Sequence, residues 1–147
     1  MISVYTDGSC LGNPGNGGWA FLVVGEKDIS YRSGFKKNTT NNQMELIAAI
    51  KALEFLEEYK DISINTDSNY VKQGITAWVL NWKKNNWKTS TKQTVKNREL
   101  WEQLDNLCVK KSISWHWVKA HNTNNFNNKV DELAKKAAES LTESSFN

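Results

Sequence analysis

Two segments sixty positions apart repeat one pattern, Ile2-Ser3-Val4-Tyr5-Thr6-Asp7 and Ile62-Ser63-Ile64-Asn65-Thr66-Asp67. Each alternates apolar and polar residues with the two-residue period of a half-buried strand, and each reads as a short strand ending in Thr-Asp before a turn or helix start. The first, third and fifth residues share one face, so each Asp is expected just past its strand's end, on the opposite face. If the strands are parallel neighbours, about 4.8 Å apart, the two carboxylates meet at one edge of the sheet. One strand-terminal Asp would ordinarily cap the following helix. Two in the same context point to a shared site.

The rest of the chain supplies such a sheet. Residues 19–24 form a continuous apolar run and residues 29–35 alternate again, which predicts an antiparallel three-strand start. Residues 41–59 switch to helical period, with Thr40 or Asn41 as N-cap. Residues 62–66 and 112–118 read as strands, and 71–85, 95–107 and 128–141 as helices. Strands first, then alternation, indicate an α/β layer with a mixed sheet. The 147 residues amount to one ordinary domain, taken as 1–147, with a polar tail at 142–147 expected to fray. The longest apolar run has six residues, far below the roughly 20 of a spanning helix, and no basic-then-apolar leader precedes Ile2. Cys10 and Cys108 form no C-x-x-C, so neither a disulfide scaffold nor a zinc ribbon is expected and a cytoplasmic location is.

Two further acids join the pair. At helical spacing Glu45 heads the stripe of Ala48, Ala49, Ala52, Leu53 and Leu56, with Lys51, Glu54 and Glu58 on the other side. Asp131 borders the stripe of Val130, Leu133, Ala134, Ala137 and Ala138. Each could alternatively be a solvated or helix-capping acid. If the four meet, charge must be cancelled: two unit charges 4 Å apart repel by about 4 kcal/mol at an effective dielectric of 20. All-oxygen ligands with open positions suit Mg²⁺ or Mn²⁺, and two such ions are a recurring device for phosphodiester displacement.

Several blocks then resemble one family. Asp7-Gly8-Ser9-Cys10-Leu11-Gly12-Asn13-Pro14-Gly15, Thr40-Asn41-Asn42-Gln43-Met44-Glu45-Leu46, Thr66-Asp67-Ser68, Asn81-Trp82-Lys83-Lys84, Val95-Lys96-Asn97 and Asp131-Glu132-Leu133-Ala134 are similar to the signatures of bacterial type 1 ribonuclease H, in that family's order over nearly the whole chain. The resemblance implies the ribonuclease H-like fold, a five-stranded mixed β-sheet flanked by α-helices with a basic helical handle. It implies an endoribonuclease that hydrolyses the RNA strand of RNA/DNA hybrids with two Mg²⁺ ions, Mn²⁺ being a substitute, leaves 5′-phosphate and 3′-hydroxyl ends, and removes RNA primers and R-loops. Carried over residue by residue, Asp7 would bridge both metals, Asp131 would hold the one that activates water, and Glu45 and Asp67 the one at the leaving oxygen. Glu45 would also lie near the ribose 2′-hydroxyl. His121, in an Asn-rich loop, matches the family's mobile histidine, thought to aid proton transfer or product release. Asn13, Asn42 and Asn69 match hybrid-contacting positions, and Thr40 and Asn97 match a phosphate pocket for the DNA strand. Ala120, Asn69, Asn128 and Asn38 depart from the usual residues. They bear on loop dynamics and DNA-strand affinity and remove no metal ligand.

Charge distribution supports a polyanionic partner. The net charge is +3, yet residues 68–98 hold seven basic residues and no acidic ones, together with Trp78, Trp82 and Trp87. A basic run is usually a solvated face, but an acidic site that repels phosphate needs cations nearby. Lys83, Lys84, Lys88, Lys92 and Lys96 read as the handle's grip on the DNA strand. Some of the tryptophans are expected to pack the handle, with Trp82 as the contact to DNA sugars. A transposase- or resolvase-like DNA nuclease on the same fold, and a catalytically dead hybrid-binding module, are the alternatives. The expected partner is a hybrid duplex, with no membrane, and the expected state is a monomer; Met1 directly before the first strand, with the basic handle, favours a stand-alone cellular protein over the excised nuclease domain of a reverse transcriptase.

Overall fold

The computed structural model describes residues 2–89, 91–118 and 125–146. The repeated pattern sits where its period puts it. Strands β1 (Ile2–Gly12) and β4 (Asp61–Thr66) are parallel neighbours, in register from Ile2↔Ile62 to Thr6↔Thr66. β2 (Gly15–Val24) and β3 (Ile29–Thr39) extend the sheet antiparallel from β1, and β5 (Ser112–Trp117) pairs parallel with β4. β1 does not end at Asp7 as expected. Its pairing with β2 continues to Gly12↔Gly15, so Asp7 lies within a strand that outruns β4.

The sheet has six strands rather than five, in the order β5-β4-β1-β2-β3-β6. The sixth, β6 (Ser144–Phe146), comes from the tail expected to fray, and pairs antiparallel with β3. Its hold is local: the Ser33 and Ser144 hydroxyls share a hydrogen bond of 2.5 Å, and the Tyr31 and Phe146 rings stack at 5.6 Å. The segment thus covers an edge that would otherwise present unpaired backbone groups.

Alternation along β1 and β2 sorts the helices onto two faces. Val4, Phe21, Ile62 and Ile64 form one buried cluster with Leu46, Ala49 and Leu53 of α1 (Asn41–Phe55) and with Trp101 and Leu104 of α4 (Arg98–Cys108). Ala20 packs with Val130, Leu133 and Ala134 of α5 (Asn125–Ser140). Gly18 permits the close approach of α5, since a Cβ there would lie 2.1 Å from the Ala134 carbonyl oxygen. α1 ends at Phe55, short of the expected Tyr59.

The single helix expected at 71–85 is three pieces: α2 (Asn69–Gln73), a π-helical turn (Gly74–Trp78) and α3 (Val79–Lys84). The reason is tertiary. Gly74 abuts the Trp101 indole so closely that a Cβ would lie 1.9 Å from the ring, and the wider turn absorbs that contact. Trp82 sits among Trp78, Trp87 and Trp101 at ring separations of 5.8, 6.3 and 5.5 Å. The handle is therefore clamped to the body through indoles. α4 starts at Arg98 rather than at 95, because Asn97 is left-handed, with φ at 61°.

Candidate active site

β4 ends at Thr66 while β1 continues, so beyond that point β1 has backbone groups without a β4 partner. The Gly8 N–H donates there to both Asp7 Oδ1 and Glu45 Oε1, each at 2.9 Å. Glu45 can reach because Gly8 lacks a side chain: a Cβ would lie 2.5 Å from the Glu45 nitrogen and the Met44 carbonyl carbon. The N-terminal turn of α1 thus presses directly on β1. Thr40 caps that turn by accepting the Gln43 N–H at 3.2 Å, which selects Thr40 of the two candidate caps.

Asp7, Glu45 and Asp67 each offer an oxygen, all within 4.8 Å of one another. Asp67 is fixed from the edge strand, where the Trp117 indole N–H donates to its carbonyl at 3.2 Å and Val118 N–H reaches the Thr66 carbonyl at 2.9 Å. Asp131 lies outside this tight triad but lines the same cleft of about 420 Å³, with Asn42, Asn69, Tyr70 and Lys135. Asp131 Oδ2 lies 3.2 Å from Lys135 Nζ.

The electrostatics are those of crowded buried acids. Asp7 is 3% exposed and Glu45 5%. Burial, then the charges of Glu45 and Asp67, push Asp7 up to about 12. Burial pushes Glu45 up to about 8, with the Asp67 charge adding to the rise and the Gly8 N–H opposing it. Asp7 Oδ2 and Glu45 Oε2 are both buried without a hydrogen-bond partner among the described residues. Unsatisfied buried carboxylate oxygens are costly. Two of them beside a third acid form an oxygen-only donor set that fits a hard divalent cation.

The other expected site residues fall into two groups. Asn13 accepts the Asn41 N–H at 3.1 Å beside the α1 N-terminus. Asn97 is joined to that terminus through Gln43, whose amide donates to Asn97 Oδ1 at 3.2 Å, while Asn97 donates to the Tyr70 hydroxyl at 3.2 Å. Trp101 Nε1 donates to the same hydroxyl at 3.0 Å, which ties the handle's anchor to the cleft wall. Lys84, Lys88, Lys92 and Lys96 are exposed, whereas Lys83 pairs with Asp105 at 3.1 Å. Trp82 is half-buried. Asn128 is exposed on α5, and His121 and Ala120 lie outside the described residues.

Sequence reasoning missed Lys135, Gln43, Tyr70 and the role of Gly8. Lys135 was legible as the i+4 neighbour of Asp131. Gln43 stands in a signature block, but its bond to Asn97 spans 54 positions, and Tyr70 gives no signal because its partners Asn97 and Trp101 are distant in sequence.

Residues 1–139 match the family model described as RNase H. The chain is 50% identical, over 141 residues, to a protein named Ribonuclease H from Francisella philomiragia, covering 96% of this chain and 93% of that one. Among solved structures it is similar to LC9-RNase H1, described as a type 1 RNase H, with 31% identity and a TM-score of 0.86 over 97% of this chain and 74% of that one. It also shares its fold with LC11-RNase H1 solved in complex with an RNA/DNA hybrid, at 22% identity and a TM-score of 0.71 over 95% of this chain and 98% of that one.

Proposed function

The chain belongs to the RNase H family, and from that premise we propose that it is an endoribonuclease that hydrolyses the RNA strand of RNA/DNA hybrids at Asp7, Glu45, Asp67 and Asp131. The observation that carries the reading is the pair of orphaned, buried carboxylate oxygens on Asp7 and Glu45, two residues that each place an oxygen within 4.8 Å of one on Asp67. Asp7 and Asp131 would hold one divalent ion, and Asp7, Glu45 and Asp67 the other. Mg²⁺ is the proposed ion, with Mn²⁺ as a substitute. Bound there, the ions supply Lewis-acid stabilisation of the phosphoryl oxygens and lower the pKa of attacking water.

The chain's own residues do the rest. Gly8 N–H and the capped α1 turn orient Glu45, and Trp117 with the β5 pairing orients Asp67. Asn42 and Asn69 line the cleft, Asn13, Thr40 and Asn97 sit at or are joined to the α1 N-terminus, and all five would offer neutral hydrogen bonds to a backbone that the acids alone would repel. Lys84, Lys88 and Lys96 attract the DNA strand, and Lys83 adds less because Asp105 already faces it. Trp82 offers only its exposed edge to a sugar, the rest being packed in the indole cluster. His121 is proposed as the proton-transfer or product-release residue. The enzyme acts as a single-domain monomer in the cytoplasm on this reading. Among the described residues no helix is long and apolar enough to cross a membrane.

A gel assay with matched RNA/DNA, RNA/RNA and DNA/DNA duplexes, with Mg²⁺, Mn²⁺ or chelator, tests the proposal. Cleavage confined to the RNA of the hybrid, and dependent on the ion, is the expected result. Cutting of DNA/DNA would favour a transposase- or resolvase-like nuclease, and binding without cleavage a dead module.

A further inference from the structure

The carboxylate cleft is lined, among the described residues, by a single cation, Lys135. It stands one turn beyond Asp131 on α5, with Nζ 3.2 Å from Asp131 Oδ2. The lysine side chain is 50% exposed and that of Asp131 27%. Asp131 is also the acid that does not belong to the tight triad of Asp7, Glu45 and Asp67. The charge of Asp131 is therefore faced by an ammonium on its own helix.

An ammonium and a divalent ion compete for the same carboxylate oxygens. A metal entering between Asp7 and Asp131 meets either a carboxylate already neutralised by Lys135 or the unscreened repulsion of its positive charge. Resting on the metal-centre reading above, we propose that Lys135 is an internal counter-cation, which holds Asp131 in the metal-free protein and must be displaced from Oδ2 for a divalent ion to bind there. Lys135 is thus a positioning residue that sets how readily the Asp131 side of the centre fills. Its long, half-exposed stem lets Nζ swing into solvent without disturbing α5, whose buried residues lie on the other side of the helix.

The test is a titration of Mn²⁺ into the intact protein without nucleic acid, followed by electron paramagnetic resonance. It compares wild type, Lys135→Met, Lys135→Arg and Lys136→Met. Lys136 is exposed on the same helix but does not line the cleft, so its variant removes an equal charge at a distance. From the measured range for partly exposed ion pairs, Lys135→Met should bind the ion at Asp131 about 2- to 5-fold more tightly than wild type. Lys135→Arg should resemble wild type, and Lys136→Met should stay within error of it. In chelator, Lys135→Met should melt below wild type, and saturating Mn²⁺ should close the gap. Unchanged or weaker binding by Lys135→Met overturns the inference, as does an equal shift from Lys136→Met. If wild type binds no Mn²⁺, the metal-centre reading itself fails. Wild-type binding without a Lys135 effect defeats only the counter-cation.

Discussion

The sharpest consequence of the site's electrostatics concerns stability rather than catalysis. Asp7 has an ordinary value of 3.8 and is pushed up to about 12 in the fold. A carboxyl raised in this way favours folding fully below pH 3.8, and that contribution is lost as pH rises towards the folded value. At pH 7 the loss depends only on how far the pH exceeds 3.8, provided the folded value lies above 7. At 1.36 kcal/mol per unit it is about 4 kcal/mol. Asp7→Asn replaces the acid with a neutral group of the same shape: Oδ1 can still accept the Gly8 N–H, and the amide can turn an N–H towards Glu45. The metal-free variant should therefore gain about 2 to 4 kcal/mol over wild type at pH 7 but only about 1 kcal/mol at pH 4.5. For a chain of this size the larger gain corresponds to roughly 4 to 16 °C in Tm. Urea unfolding in chelator at the two pH values, with unchanged m-values, measures the difference. A variant less stable than wild type at pH 7, or a gain equal at both pH values, would refute the argument that Asp7 is strained by burial and its neighbouring acids. The same variant should lose cleavage, since it removes a carboxylate that would hold both ions on the proposed reading.

Three further outcomes are expected. Gly8→Ala should abolish cleavage and weaken Mn²⁺ binding without removing any carboxylate, because the added Cβ would drive the start of α1 away from β1; isothermal titration beside the gel assay checks both, and an active variant would show that the close approach is dispensable. Neutralising Lys84, Lys88 and Lys96 together should flatten the slope of log binding constant against log salt by roughly 0.9 for each phosphate no longer neutralised, and leave single-turnover cleavage at saturation unchanged, whereas Lys83→Ala alone should change the slope less. Deleting residues 142–147 should cost about 1 to 2 kcal/mol, because the Tyr31–Phe146 stacking and the Ser33–Ser144 hydrogen bond go with them, and should leave activity intact; a thermal melt with no shift would mean that the tail is frayed after all.

What the sequence revealed, and what it hid, divide along the range of the interaction. The repeated Ile-x-x-x-Thr-Asp pattern is local, and the two-residue period alone orders its side chains, so the parallel pairing and the meeting of Asp7 with Asp67 were legible. Glu45 was legible because one charged residue on an apolar helical stripe is conspicuous. The extension of β1 past Asp7 was not: it depends on β2 continuing beside it, and nothing within residues 7–12 marks where β4 will stop. Yet that mismatch in strand length creates the site, since it frees the Gly8 N–H that holds both Asp7 and Glu45. The π-helical turn at Gly74 and the Tyr70–Asn97–Gln43 chain were hidden for the same reason, each being set by a residue 27 or more positions away. The tail was misjudged because polar composition argues for fraying only where no edge awaits it, and β3 offers one. The acids were readable one by one, but the geometry that makes them costly came from contacts between elements. That cost is also what would give a divalent cation a reason to bind, because an ion held by Asp7 and Glu45 would set attraction to a shared charge against the crowding of buried acids.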